Sequence, residues 1–342
     1  MDLNEFKGRL KSGNLSGWYI VCGEEDYLKK YYMNELRSAI VADEAFALFN
    51  HVAFDGADID FAAVSEAIKS PPMMSDYKLI EWKFANLDGL KESERAALEA
   101  LFEIKDEYPH AVFAIMPASD GFDAGTSKKP SRLASRLSVG FEILNFSKST
   151  DSQLLAWLKK HFDAEGVGVD VQTLNALLFR SGRSMEVLNN EVIKLCCYAK
   201  ANEKNTVTAT DVDEVASSTV ECDAFALSNA VLEKNVERAF VALTDLKQRR
   251  ADPPAVIGML ERTYSELTSV ALLLDEGKGS SDIEAILKFH PFKAKLYIGA
   301  AKRFGSKKLS ESLSELCRID ASSKSGGISG YGAVEMFITR HL

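Results

Sequence analysis

The amino-acid sequence predicts an α/β N-terminal domain with a parallel sheet and flanking helices over residues 1–146, a small helical lid domain over 147–218, and an all-α C-terminal domain over 219–342. Three observations predict it. Up to Phe146, short apolar runs alternate with stretches of helical spacing, which is the pattern of crossovers onto a parallel sheet covered on both faces. After Phe146 helix-start signals replace the apolar runs. From Asp223 onward every segment reads as helix.

In chain order, strands are expected at Trp18 to Cys22, Phe49 to Phe54, Lys78 to Trp82, Val112 to Met116 and Phe141 to Phe146. Between them helices are expected at Tyr27 to Val41, Phe61 to Ile68, Glu92 to Ile104 and Arg132 to Leu137. The segment Gly121 to Pro130 is polar and glycine-containing and reads as a loop. No further strand is expected after Phe146. Thr150-Asp151-Ser152-Gln153 has capping-box spacing, with Leu154, Leu155, Leu158 and Phe162 following at helical intervals. Asp170 would cap a second helix from Val171 to Phe179, and a third places Leu188, Val192, Leu195 and Ala199 on one face. Thr208 opens a fourth, short helix to Val215.

In the last segment helices are expected at Ala224 to Leu232, Val236 to Gln248, Ala255 to Leu274, Ser281 to Leu287, Lys293 to Phe304, Leu309 to Ile319 and Tyr331 to His341. Breaks are expected at Asp252-Pro253-Pro254, Glu276 to Gly279, His290-Pro291 and Ser325-Gly326-Gly327.

With 46% hydrophobic and 27% charged residues over 342 positions, the composition is that of a globular protein of two or three domains. No apolar run approaches the roughly 20 residues that span a bilayer, and the acidic N-terminus lacks the base of a signal peptide, so a cytoplasmic protein is expected. The five cysteines have neither framework nor metal-ligand spacing and read as small buried hydrophobes in a reduced compartment. No metal site is expected. A net charge of −9 excludes a protein that grips nucleic acid with its whole surface, but leaves room for a local basic patch.

The turn after the first strand has the setting of a phosphate-binding loop without its residues. Such a loop carries a second glycine, a lysine and a hydroxyl before the helix. Here the turn reads Gly23-Glu24-Glu25-Asp26. Three carboxylates suit a helix N-terminus, but they repel a triphosphate arriving at the same amides. The Val112 strand ends in Met116-Pro117 instead of an acid pair, and Asp120 and Asp123 follow in a loop. No catalytic residue and no nucleotide cofactor are expected. The enzyme-class alternative is a working ATPase with an unorthodox loop. Arg183, where an active relative of this architecture would meet the terminal phosphate, reads as a surface residue.

Two other places stand out. Pro71-Pro72-Met73-Met74 joins a helix to the Lys78 strand, and two methionines in a connection are either plugs beneath the domain or an exposed apolar anchor. Composition leaves both open. From Lys288 to Lys308 there are seven Lys/Arg, among them Lys302, Arg303, Lys307 and Lys308, and no Asp or Glu. This stretch is either a solvated helix face or a contact surface for a phosphate backbone. A helical adaptor with no role on DNA is the third reading.

The order and spacing of several segments resemble the delta subunits of bacterial DNA polymerase III clamp loaders. The resemblance is carried by Tyr19 to Leu28, Ser70 to Leu79, Glu186 to Leu195, Thr208 to Val212, Ala285 to Phe292 and Asp320 to Gly326. It implies an AAA+-like fold in the first two domains and a helical collar in the third. It implies a non-catalytic component of a DNA-directed DNA polymerase holoenzyme, without nucleotide binding, that acts in DNA replication within the bacterial replisome. A hydrophobic element of the first domain would enter a pocket on the sliding clamp and open the ring for loading onto primed DNA. Pro72, Met73 and Met74 stand where the family places that element, although its hydrophobic pair usually includes Leu or Phe. The implied partners are the clamp, the ATPase subunits and a delta-prime-like subunit in a pentamer.

Overall fold

The computed structural model describes every residue except Ala42, Asp58, Ser127, Ile328, Ser329 and Leu342. Ser127, within the predicted loop 121–130, and Leu342, at the end of the predicted last segment, thus lie outside the described residues. The chain divides into two compact units, Met1–Ser149 and Thr150–Leu342.

The first unit runs α1 (Leu3–Ser12), β1 (Trp18–Cys22), α2 (Asp26–Ile40), α3 (Ala47–Asn50), β2 (His51–Asp55), α4 (Phe61–Lys69), β3 (Lys78–Ala85), α5 (Glu92–Ala100), β4 (Ala111–Pro117), β5 (Gly125–Thr126), β6 (Lys129–Pro130), α6 (Arg132–Leu137) and β7 (Glu142–Asn145). Five strands form one sheet in the order β2-β3-β4-β1-β7, every pairing parallel. β1 is therefore an interior strand, between β4 and β7, and is buried along its whole length. Its side chains alternate between two cores, as a strand's period of two requires. Trp18, Ile20 and Cys22 enter the layer shared with Val64 and Ile68 of α4, Leu98 of α5 and Leu137 of α6. Tyr19 and Val21 enter the opposite layer with Phe6 of α1 and Met33 and Leu36 of α2.

Three elements differ from expectation. α1 was not anticipated. The predicted second strand starts at His51, because Phe49 and Asn50 close the one-turn helix α3. The predicted loop 121–130 contains a two-residue hairpin, Gly125–Thr126 against Lys129–Pro130.

The second unit continues with α7 (Asp151–Ala164), β8 (Gly168–Val169), α8 (Val171–Ser181), α9 (Met185–Ala201), β9 (Thr206–Val207), α10 (Ala209–Val215), α11 (Val220–Leu232), α12 (Val236–Gln248), α13 (Pro253–Asp275), α14 (Ser280–Leu287), α15 (Pro291–Phe304), α16 (Ser306–Lys324) and α17 (Tyr331–His341). The caps read from sequence are formed: Thr150 and Gln153 cap each other at α7, Asp170 accepts from Thr173 N–H at 2.7 Å, and Thr208 pairs with Asp211. Strands do not stop at Phe146, however, since β8 and β9 form a short parallel pair. The breaks expected at Asp252-Pro253-Pro254 and His290-Pro291 separate helices as read, and the helix that follows each begins two residues earlier than expected, on the proline itself. Pro253 and Pro291 take the first helical position, where the missing N–H costs nothing.

α13 is the axis of this unit. Val256, Ile257, Leu260, Tyr264, Leu267 and Val270 enter one core with Leu243 of α12, Tyr297 of α15, Leu316 of α16 and Phe337 of α17. The cysteine expectation needs correction. Cys22 and Cys196 are buried, Cys222 is half-buried, and Cys197 and Cys317 lie on the outer faces of their helices. No helix of the described residues is long and apolar enough to cross a membrane.

Candidate functional site

The turn at Gly23 is closed by the neighbouring strand. Gly23 has φ +108°, and a Cβ there would meet the Phe146 carbonyl oxygen at 2.4 Å, so glycine is required by close approach as well as by backbone conformation. The Glu25 N–H, one of the amides that would face a phosphate, donates to Phe146 O at 2.9 Å, and Phe146 N–H donates to Cys22 O at 2.8 Å. Asp26 engages the buried Lys29 at 2.8 Å. Burial raises the Glu25 carboxyl above its ordinary range.

Beside the turn lies a cavity of about 540 Å³, at the carboxyl end of the sheet. Gly23, Glu24, Asp88, Asp120, Asp123 and Lys29 are in its wall, so among the described residues carboxylates outnumber the one cation. Asp88 and Asp123 are spent on the chain itself: Asp88 accepts from Asp123 N–H, and Asp123 from Gly125 N–H, each at 2.8 Å. Cys22 in this wall is no nucleophile, because burial pushes its thiol up to about 12. Among the described residues no group of three or more His, Cys, Asp or Glu could hold a metal ion.

The Pro71–Met74 connection is on the surface. Met73 is 44% exposed and Met74 85%, so neither is a plug. α4 ends at Lys69, Ser70 turns extended before Pro71, and the two prolines offer no backbone donor. The turn is held by side chains instead. The buried Asn50 Nδ2 donates to Met73 O at 2.8 Å, and Met73 N–H donates to Asn50 Oδ1 at 2.7 Å. Ser75 Oγ donates to Ile40 O at 3.1 Å. Met74 adopts a left-handed φ of +52°, which a residue with a side chain takes only when its surroundings impose it.

The sequence reading missed Leu48 and Phe49. Both belong to α3, directly before Asn50, and they are 89% and 52% exposed. The apolar run Phe46 to Phe49 is their only signal in sequence, and its last residue reads as the start of a strand. Under this surface the sheet is anchored by Glu81 on β3. Arg37 Nη2 lies 2.9 and 2.8 Å from its two oxygens, and His51 Nε2 lies 2.8 Å from one of them.

The basic stretch is less uniform in space than in sequence. Lys293 sits between Glu221 at 2.8 Å and Glu266 at 2.9 Å, and Arg303 is paired with Glu233. Lys308 donates to Leu232 O at 2.6 Å. Lys302 and Lys307 are exposed and make no ion pair among the described residues. Arg183 is paired with Asp151 at 2.7 Å.

A parallel sheet covered on both faces, with this strand order and a following helical unit, gives the chain an AAA+-like fold. Two models match the chain, "DNA polymerase III, delta subunit" over residues 19–121 and "DNA polymerase III delta subunit, C-terminal domain" over residues 221–341. The chain belongs to the DNA polymerase III delta-subunit family. It is 21% identical to DNA polymerase III subunit delta of Bacillus subtilis over 97% of this chain and 95% of that one. It is 26% identical to a probable DNA polymerase III subunit delta of Aquifex aeolicus, over 90% of this chain and 85% of the relative. In structure it resembles the Bacillus subtilis DNA clamp loader delta protein with a TM-score of 0.57 and 20% identity, covering 98% of each chain.

Proposed function

We propose that this chain is a clamp-loader subunit of the replicative DNA polymerase that performs no chemistry of its own. It binds the sliding clamp through an apolar tip on its first domain and opens the ring for loading onto primed DNA. The observation that carries this reading is the exposure of Met73 and Met74 on a pinned turn, in a chain of the delta-subunit family whose Bacillus subtilis relative is a DNA clamp loader delta protein. Leu48 and Phe49 extend the tip. Residues 1–146 carry the clamp contact, 147–218 the lid, and 219–342 the collar through which a pentamer with ATPase and delta-prime-like subunits would form. The setting is the cytoplasm.

The test is a pull-down of the sliding clamp by the purified chain, with and without ATP. Capture in both conditions is expected, since the tip is already exposed in the free chain. Capture in neither would sink the reading.

Absence of intrinsic ATPase activity is part of the proposal. It is supported by the Glu25 N–H being taken by Phe146 and by the acidic wall around Glu24. Labelled ATP with magnesium should show no saturable micromolar binding to the isolated chain; a saturable isotherm would return the enzyme reading.

For DNA, Lys302 and Lys307 carry the proposal, because Arg303 and Lys308 have partners within the chain. Changing both lysines to Gln should weaken DNA binding by the assembled loader equally for all sequences. The slope of log affinity against log salt should become shallower by about 1.8, at roughly 0.9 per phosphate contact. An unchanged slope would place both lysines away from DNA.

A further inference from the structure

We propose that Asn50 is the positioning residue of the apolar tip. It holds the Met73–Met74 turn in its exposed shape and ties it to the Leu48–Phe49 turn, so that both meet the clamp as one surface. This rests on the clamp-binding reading above. The argument begins with what the turn lacks. Pro71 and Pro72 cannot donate, and the next residue to pair in the sheet is Lys78, so no strand ladder fixes Met73. A primary amide is the one uncharged side-chain group that offers a donor and an acceptor side by side, as a peptide does. Asn50 uses both on the backbone of Met73, at 2.8 and 2.7 Å.

Its own backbone closes α3, and it is only 2% exposed, so its position is set by the domain rather than by solvent. The left-handed Met74 follows directly, turning its side chain outward. Freed from Asn50, Met73 is no longer held and Met74 can relax to a commoner backbone angle, and the clamp must then order both again on binding.

The experiment compares Asn50→Ala, Asn50→Asp and the double variant Met73→Ala/Met74→Ala with the unchanged chain. Two quantities are read: hydrogen exchange of the Met73 amide in the free protein, and the dissociation constant for the purified sliding clamp. In the unchanged chain the Met73 amide is expected to be protected. Asn50→Ala should remove that protection and weaken the clamp complex about 25-fold, as the loss of two hydrogen bonds implies.

Asn50→Asp keeps the acceptor for Met73 N–H and loses the donor to Met73 O. It should keep the protection and weaken binding about fivefold. It also serves as the readout if Asn50→Ala does not fold. A Met73 amide that stays protected in Asn50→Ala, or clamp affinity unchanged in both Asn50 variants while the double methionine variant loses it, overturns the proposal. If the double methionine variant binds the clamp normally, the clamp reading itself falls. The exchange measurement then decides alone whether Asn50 holds the turn.

Discussion

Changing Met73 and Met74 together to alanine is expected to abolish clamp binding while leaving the unfolding transition in place. Both side chains are largely exposed in the free chain, so the fold loses little apolar burial when they are shortened. In a complex the accounting reverses. Each methionine buried in a partner's pocket contributes about 1.5–3 kcal/mol. The pair therefore supplies about 3–6 kcal/mol of the roughly 8 kcal/mol in a micromolar contact. Losing that much weakens such a contact to a dissociation constant of about 0.2 mM at the least, and beyond the millimolar range at the upper figure. The measurement is a titration of clamp against each variant, with thermal unfolding alongside. Clamp affinity within twofold of the unchanged chain would reject the methionines as the anchor.

The second large effect concerns stability. Arg37→Leu should cost the first unit about 3 kcal/mol, the low end of what is lost when one partner of a buried ion pair is removed. Glu81 lies in the middle of β3 with its carboxylate out of solvent, and Arg37 reaches it from α2. His51 and Lys83 remain at 2.8 and 3.6 Å, which is why the low end applies. Against a typical domain stability of about 5–15 kcal/mol, the loss is readily seen as a lower urea midpoint. Replacing both partners, Arg37→Leu with Glu81→Leu, should recover part of it, because no buried charge is then left unpaired. A urea midpoint unchanged in Arg37→Leu would show that the pair contributes nothing.

The same group gives a pH dependence. Burial works to raise the Glu81 carboxyl, but the hydrogen bonds from His51 and Arg37 outweigh it and hold it below the ordinary value of 4.5. A carboxyl depressed in the folded state contributes stability that is fully present above 4.5 and is lost as pH falls from there through the folded value. Acid unfolding of the unchanged chain should therefore begin below about pH 4.5. In Arg37→Leu this acid-linked loss should be smaller, since the depression is reduced.

Much of the architecture was legible because it depends on local signals. Caps at Thr150, Asp170 and Thr208 are short side-chain patterns, and each formed as read. The buried run Trp18 to Cys22 stood out because an interior parallel strand covered on both faces has no polar face to show. Where two principles competed, the reading slipped. Phe49 is aromatic and favours a strand, yet it lies in a helical turn that closes at Asn50. β8 and β9 are two residues each, too short for any periodicity to appear.

The sequence by itself determined the class: strand–helix alternation, a phosphate turn rich in acid, and a prolonged helical end are all encoded within windows of a dozen residues. It also supplied two methionines after two prolines. Only the tertiary structure decided that these methionines face solvent, that Leu48 and Phe49 are exposed on the turn beside them, and that Asn50 joins the two turns. Likewise, a stretch without a single acid in sequence is partly neutralised in space by Glu221, Glu233 and Glu266. The physical reason is common to all of these. Exposure and pairing depend on which distant segment packs alongside, and residues 23 or 70 positions apart leave no mark on one another's local pattern.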